Sequence, residues 1–481
     1  MKKIKKTSTL LAVICLLLTT VLAGCGSNEN KEGQSASPGN SASSLPQSTQ
    51  SSDYPEGLSP DDKITLKMAA PDQGFGTAMF ELAVGRFMEI YPNVKIELTT
   101  SPKITEIVGA KVAANDDDDM FDLMLGRAGF NPNLIKSGVV EDLSDLMSKP
   151  TWDDPNMTMG QDMMESSREL FVYDGKLRLL PADISLISII YNKKMFTENG
   201  WNENPQTWGE FLQLLDTIKA SGKTAPIAFA GTVGYLPWLT NMASIYHNGW
   251  EERYVKREQG IYSDPANIAP LVKLNELKDK GYFLNGTEAL DHTQSQMEFL
   301  QGNAAMIPSG SWIENEMKNA APADFEYGIM IQPTNDQSVD PRYIMGYSDS
   351  IWAWAKKPEL NKTWTKEFLR FYYSKEVQAE FIKSGGIPVV KSVQKDESLT
   401  QFASPFNQEV MKLLTGNVEL NLAYSKLPPD KLAANPKYTD ADLKVMNNGF
   451  LEVYMGIKTP EQVGAAADAE IEKVWAEVGG R

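Results

Sequence analysis

Trp312 has the clearest chemical opportunity in this sequence. It follows the turn Gly310-Ser311 at the end of an apolar strand pattern, and α/β proteins gather ligands at strand ends. A flat indole there offers an apolar face to the C–H side of a sugar ring, and planar polar groups nearby would meet its hydroxyls. Covalent chemistry finds less support. The histidines are His247 and His292, and neither belongs to an HExxH pattern. There is no G-x-S-x-G elbow and no G-x-x-x-x-G-K-S/T loop. Carboxylates are abundant, so counting does not exclude a two-carboxylate glycosidase, but no pair stands out. The run Asp116-Asp117-Asp118-Asp119 lacks the glycine and the ligand spacing of a calcium loop, and reads as a solvated loop. No metal site and no cofactor are implied.

Those residues need a scaffold, and the hydrophobic pattern supplies one. Residues 64–69 (ITLKMA), 94–98 (VKIEL) and 121–125 (FDLML) read as strands, separated by helical stripes over 78–91 and 104–114. Strand–helix–strand–helix–strand over so short a stretch argues for a parallel α/β sheet. Residues 185–192 (SLISIIYN), 226–230, 304–307 and 350–355 are further strands. Thr207 and Glu210 form a capping-box pattern for a helix closed by Gly222, with Trp208 expected in the core. Asp264-Pro265 opens a helix that ends at Gly281, and Thr293 with Gln296 is read as the capping box of the next, which ends at Gly302. One long amphipathic helix is expected over 364–384, stopped by Gly385-Gly386. Thr459-Pro460-Glu461-Gln462 caps a last helix to about residue 478.

The beginning of the chain is of another kind. Lys2, Lys3, Lys5 and Lys6 precede an uncharged stretch over 7–22, then Leu22-Ala23-Gly24-Cys25. A basic head, a short apolar segment and a small-residue cleavage site mark an export signal. The apolar segment is short for a spanning helix, which needs about 20 residues. The tetrapeptide resembles the bacterial lipobox, which implies cleavage after Gly24 and diacylglyceryl transfer to the Cys25 thiol. Cys15 and Cys25 are the only cysteines, so the mature domain is expected to hold no disulfide and no thiolate site. Residues 25–62 are rich in Ser, Gly, Pro and Gln and read as a disordered linker behind the lipidated cysteine. With the leader's four lysines removed, the formal charge of −17 falls to −21. Such an acidic chain does not bind nucleic acid through phosphate contacts, and the lipid, not surface charge, is its expected membrane contact.

Several landmarks then point one way. Tyr191-Asn192-Lys193-Lys194-Met195-Phe196, Gly200 and Pro205-Gln206-Thr207-Trp208-Gly209-Glu210-Phe211 resemble the YNK…F…G…P.TW.E segment of the bacterial extracellular solute-binding proteins, family 1. Phe299 to Met306 with Gly310-Ser311-Trp312 resembles the F..G.AAM…G.W segment of the same family, and Gly386-Ile387-Pro388 and Thr459-Pro460-Glu461 match later landmarks. The likeness runs from about residue 64 to the C-terminus. It implies an α/β, two-lobed, periplasmic-binding-protein-like fold with a hinge and a ligand cleft between lobes. The expected lobes are 63–184 plus 347–395, and 188–345 plus 400–481. The family's members are receptors of ABC importers, mostly for sugars and oligosaccharides. The implied partners are a small solute and the permease subunits, the implied state is a monomer, and the implied place is the outer face of the membrane of a Gram-positive cell. The resemblance also implies ligand contacts from strand-end loops: Asp72 and Gln73 after the first strand, Arg127 after the third, and Asp183 before residue 185. From the second lobe it implies Tyr235 or Trp238, with the choice open, besides Trp312. Tyr347 and Asp349 lie where the chain should recross, and Tyr424 falls where relatives give a further aromatic contact. A secreted carbohydrate-active enzyme and a surface adhesin are the alternatives.

Overall fold

The computed structural model describes residues 54–477 apart from 73, 127, 132, 233–235, 237–252, 254–257, 332, 334–341, 415–417 and 422–447. Two main sheets form. Strands β1 (Ile64–Ala70), β2 (Val94–Thr100), β3 (Leu123–Met124), β4 (Val172–Tyr173), β5 (Lys176–Leu177) and β6 (Leu180–Pro181) precede β7 (Ser185–Asn192) and β8 (Ala225–Ile227). Then come β9 (Ala304–Gly310), β10 (Tyr327–Met330), β11 (Arg342–Tyr347), β12 (Ser350–Ala353) and β13 (Val418–Asn421). The first sheet has the order β2-β1-β3-β12-β6; the second has β13-β11-β7-β9-β8, with β10 also on β7. As expected, β1 runs parallel to β2 and β3. The second sheet is mixed: all eight residues of β7 are buried, and the strand pairs antiparallel with β9, β10 and β11. Both main sheets therefore depart from a purely parallel arrangement, because β12 also returns antiparallel to β3 and β6.

The chain passes between the sheets three times, from β6 to β7, from β11 to β12 and between β12 and β13, and the first two passages are stitched together. Ala182 N–H donates to the Asp349 carbonyl at 2.7 Å. Asp183 accepts from Asp349 N–H at 2.7 Å with one carboxylate oxygen and from the Ser185 hydroxyl at 3.0 Å with the other.

Most helices start and stop where capping chemistry places them. Helices α1 (Ala78–Ile90), α2 (Ile104–Ala114), α3 (Trp208–Ser221), α4 (Pro265–Asp279), α5 (His292–Leu300) and α6 (Ile313–Glu316) are followed by α7 (Glu359–Tyr372), α8 (Lys375–Lys383), α9 (Pro405–Leu413) and α10 (Pro460–Glu477). Trp208 is buried and donates to Glu276 at 2.9 Å, as a core residue should. The expected capping box at Thr459 and Gln462 is present. Among the described residues no helix is long and apolar enough to cross a membrane.

Four local expectations need correction. The long helix over 364–384 is two, because Ser374 accepts from Val377 N–H and caps α8 anew. The capping box of α5 is Asp291 with Gln294, two residues earlier than expected; Asp is the stronger cap, and Gln296 instead donates to Glu316 at 3.0 Å. Glu210 folds back to Gln206 N–H at 2.6 Å instead of to the cap residue, while Thr207 caps as expected. The linker read over 25–62 ends sooner: Tyr54 packs on Tyr91 and Trp364, Asn93 accepts from its hydroxyl at 2.7 Å, and Asn93 also ties down Asp62.

Candidate functional site

The loops that follow β1 and β3 lie together. Gly126, at φ 61°, approaches Pro71 so closely that a Cβ would meet the proline ring at 2.8 Å. This contact sets the loop carrying Asp72, which is exposed. Gly74 and Gly76, at φ 68° and 77°, turn the chain on either side of Phe75, conformations that glycine adopts at little cost. Gln73 and Arg127 lie outside the described residues.

From the second sheet, β9 delivers Trp312. The indole lies over Gly310, where a Cβ would sit 2.0 Å from the ring, so no other residue fits at 310 without moving the tryptophan. The Tyr347 ring stands 5.7 Å away at 57°. Trp312 is 7% exposed and belongs to an apolar cluster with Ile187, Phe229 and Met345, against which Phe75 and Tyr347 also pack. The expected aromatic residue at the strand end is therefore a packed one, with a half-buried tyrosine beside it. Asp349 is half-buried. Asp183, 3% exposed, spends both carboxylate oxygens on the strand crossing. Tyr235, Trp238, Tyr424, His247 and Cys25 lie outside the described residues.

Three residues escaped the sequence reading. Phe75 reaches the cluster of the second sheet from a loop of the first; its signal was a large apolar residue between two turn glycines. Asn315, on α6, donates through Nδ2 to the Gly74 carbonyl at 2.7 Å. Tyr454 packs on Phe229 and Phe283 with ring centroids 4.8 and 5.1 Å away; burial, then the neighbouring Glu288, pushes its hydroxyl up to about 12. None of these three has a local sequence pattern that names a partner.

Electrostatics near the site is modest. Burial raises the Glu314 carboxyl despite the Ser404 hydroxyl that donates to it. Burial also works against Glu316, but hydrogen bonds from His292 and Gln296 outweigh it and hold that carboxyl low. Asp117 accepts from Trp354 and Asp119 pairs with Lys67 and Lys111, so the four-aspartate run is a lysine-neutralised loop. Among the described residues no group of three or more His, Cys, Asp or Glu could hold a metal ion. A small cavity of about 10 Å³ lined by Trp152, Met159, Arg370 and Val390 shares no residue with the candidates.

Comparisons with known proteins fit this geometry. A family profile described as bacterial extracellular solute-binding protein matches residues 83–404. A diacetylchitobiose binding protein of Streptomyces coelicolor is 24% identical over 372 residues, 76% of this chain and 75% of the relative. A multiple sugar-binding protein of Streptococcus mutans is 21% identical over 361 residues, 71% of this chain and 78% of that one. The solved structure of a chitin oligosaccharide binding protein superposes with a TM-score of 0.66 at 22% identity, over 87% of this chain and 99% of that chain.

Proposed function

This chain belongs to the bacterial extracellular solute-binding proteins, and from that premise we propose that it captures an oligosaccharide between two lobes and presents it to the permease of an ABC importer. The observation that carries the reading is the placement of Trp312 and Tyr347 against a loop of the other sheet that bears Asp72 and Phe75. An aromatic pair facing a loop with an exposed carboxylate suits a sugar, which has apolar C–H faces and hydroxyl edges. The names of the sugar-binding relatives support that choice.

On this reading the lobes are 63–184 plus 347–395 and 188–345 plus 400–481, hinged at the three crossings between them. A solute favours the closed arrangement by its differential affinity for it. The sugar leaves unaltered, with no bond broken. Cleavage after Gly24 and lipidation of Cys25 hold the receptor on the outer face of the cell membrane as a monomer, an arrangement suited to a Gram-positive surface. Two acyl chains suffice for stable anchoring.

A thermal-shift screen of chito-, xylo-, malto- and raffinose-type oligosaccharides tests the proposal. A true ligand at a hundred times its Kd stabilises the fold by about 2.7 kcal/mol. Chromatography of the same mixtures then checks turnover. Stabilisation with intact sugar supports the receptor. Cleavage of the sugar would identify an enzyme, and no shift with any solute would favour an adhesin.

A further inference from the structure

We propose that Asn315 and Phe75 form a latch that holds the lobes together through protein–protein contacts, which makes Asn315 a positioning residue for capture; this rests on the reading that the solute binds between the lobes. Asn315 lies three residues beyond Trp312, and its amide donates to Gly74 at 2.7 Å, so α6 of one lobe is bonded to the loop after β1 of the other. Phe75, next in the chain, stands edge-on to Phe381 at 5.1 Å in its own lobe and packs at the same time on the Trp312 cluster. One loop thus contributes a hydrogen bond and an apolar contact to the same seam.

The opposite side of the seam is braced. Glu314 accepts from Asn407 Nδ2 at 2.9 Å and from the Ser404 hydroxyl, which fixes α6 to the start of α9. Asn407 also approaches Gly385 at the end of α8, where a Cβ would be 2.9 Å from its amide nitrogen. Its Oδ1 is buried with no hydrogen-bond partner. An unpaired buried oxygen is unfavourable, and parting the seam would hydrate it. The latch bond and apolar contact therefore oppose a built-in cost of closure. A balance of this kind lets small changes move the closed population, and solute affinity scales with that population.

The test compares the wild-type chain with Asn315→Ala, Asn315→Gln and Phe75→Ala. Without sugar, small-angle scattering should give Asn315→Ala and Phe75→Ala a larger radius of gyration than wild type, with Asn315→Gln closer to wild type because it keeps the donor. With an oligosaccharide found by the screen, Asn315→Ala should release it about three- to ten-fold faster, the usual worth of one hydrogen bond, at an unchanged association rate. Should Phe75→Ala express poorly, Phe75→Leu carries the same comparison. Scattering and release rates equal to wild type in Asn315→Ala would overturn the latch. If no oligosaccharide binds at all, the sugar reading fails, while the scattering of the variants still decides the latch.

Discussion

Trp312 shows how burial changes what a substitution can reveal. Its indole fills space over Gly310 and touches Tyr347, so Trp312→Ala removes packing as well as any sugar contact. Truncation of a buried aromatic costs about 3–5 kcal/mol, and chemical denaturation of Trp312→Ala should show a loss of that size. Trp312→Phe keeps most of the packing and is the better probe of recognition: its affinity should fall about tenfold, the scale of one aromatic contact, while its unfolding midpoint stays near wild type. Glu314 gives a pH signature. Burial raises its carboxyl above the ordinary 4.5, so the folded chain keeps the proton that the unfolded chain gives up. The stability from this group is full below 4.5 and is lost as pH rises through the raised value. Glu314→Gln is neutral throughout and can still accept from Ser404 and Asn407. Its melting temperature relative to wild type should therefore climb between about pH 4 and pH 7; a flat difference would show that the carboxylate ionises without strain.

At the scale of elements, the stitched pair of crossings is the feature to test. Asp183 was expected among the ligand contacts, and it joins the two passages through both carboxylate oxygens. Asp183→Ala leaves the Asp349 N–H without this acceptor, and thermal unfolding should register a loss of about 2 kcal/mol, the cost of an unmatched buried group. Much of the scaffold was legible in the sequence because its signals are local. The apolar run of β7, the glycine stop after α3 and the proline start of α4 each need only their neighbours. The break at Ser374 and the shift of the α5 cap were hidden because two adequate capping signals competed within a few residues. The mixed character of the sheets was hidden because strand direction depends on partners distant in the chain. For the site, Trp312 and Tyr347 were legible as aromatic residues at strand ends. Phe75 and Asn315 were not, since their partners at Phe381 and Gly74 lie far away in sequence.

For the whole molecule, the proposed lipid anchor is the feature that would keep the receptor near its permease. On the proposed reading, Cys25→Ser should move the protein from the membrane fraction to the medium, and labelled palmitate should enter the wild type alone; retention of the variant in the membrane would count against lipid anchoring. Tethering matters because it replaces bulk encounter by a high local concentration. The central claim is capture of an oligosaccharide at the Trp312 seam. Isothermal titration of the oligosaccharide panel into wild type and Trp312→Phe tests it most directly. The account predicts one-to-one binding of at least one oligosaccharide to wild type and about tenfold weaker binding to the variant. Equal affinity in the two proteins, or no heat with any oligosaccharide, would contradict it.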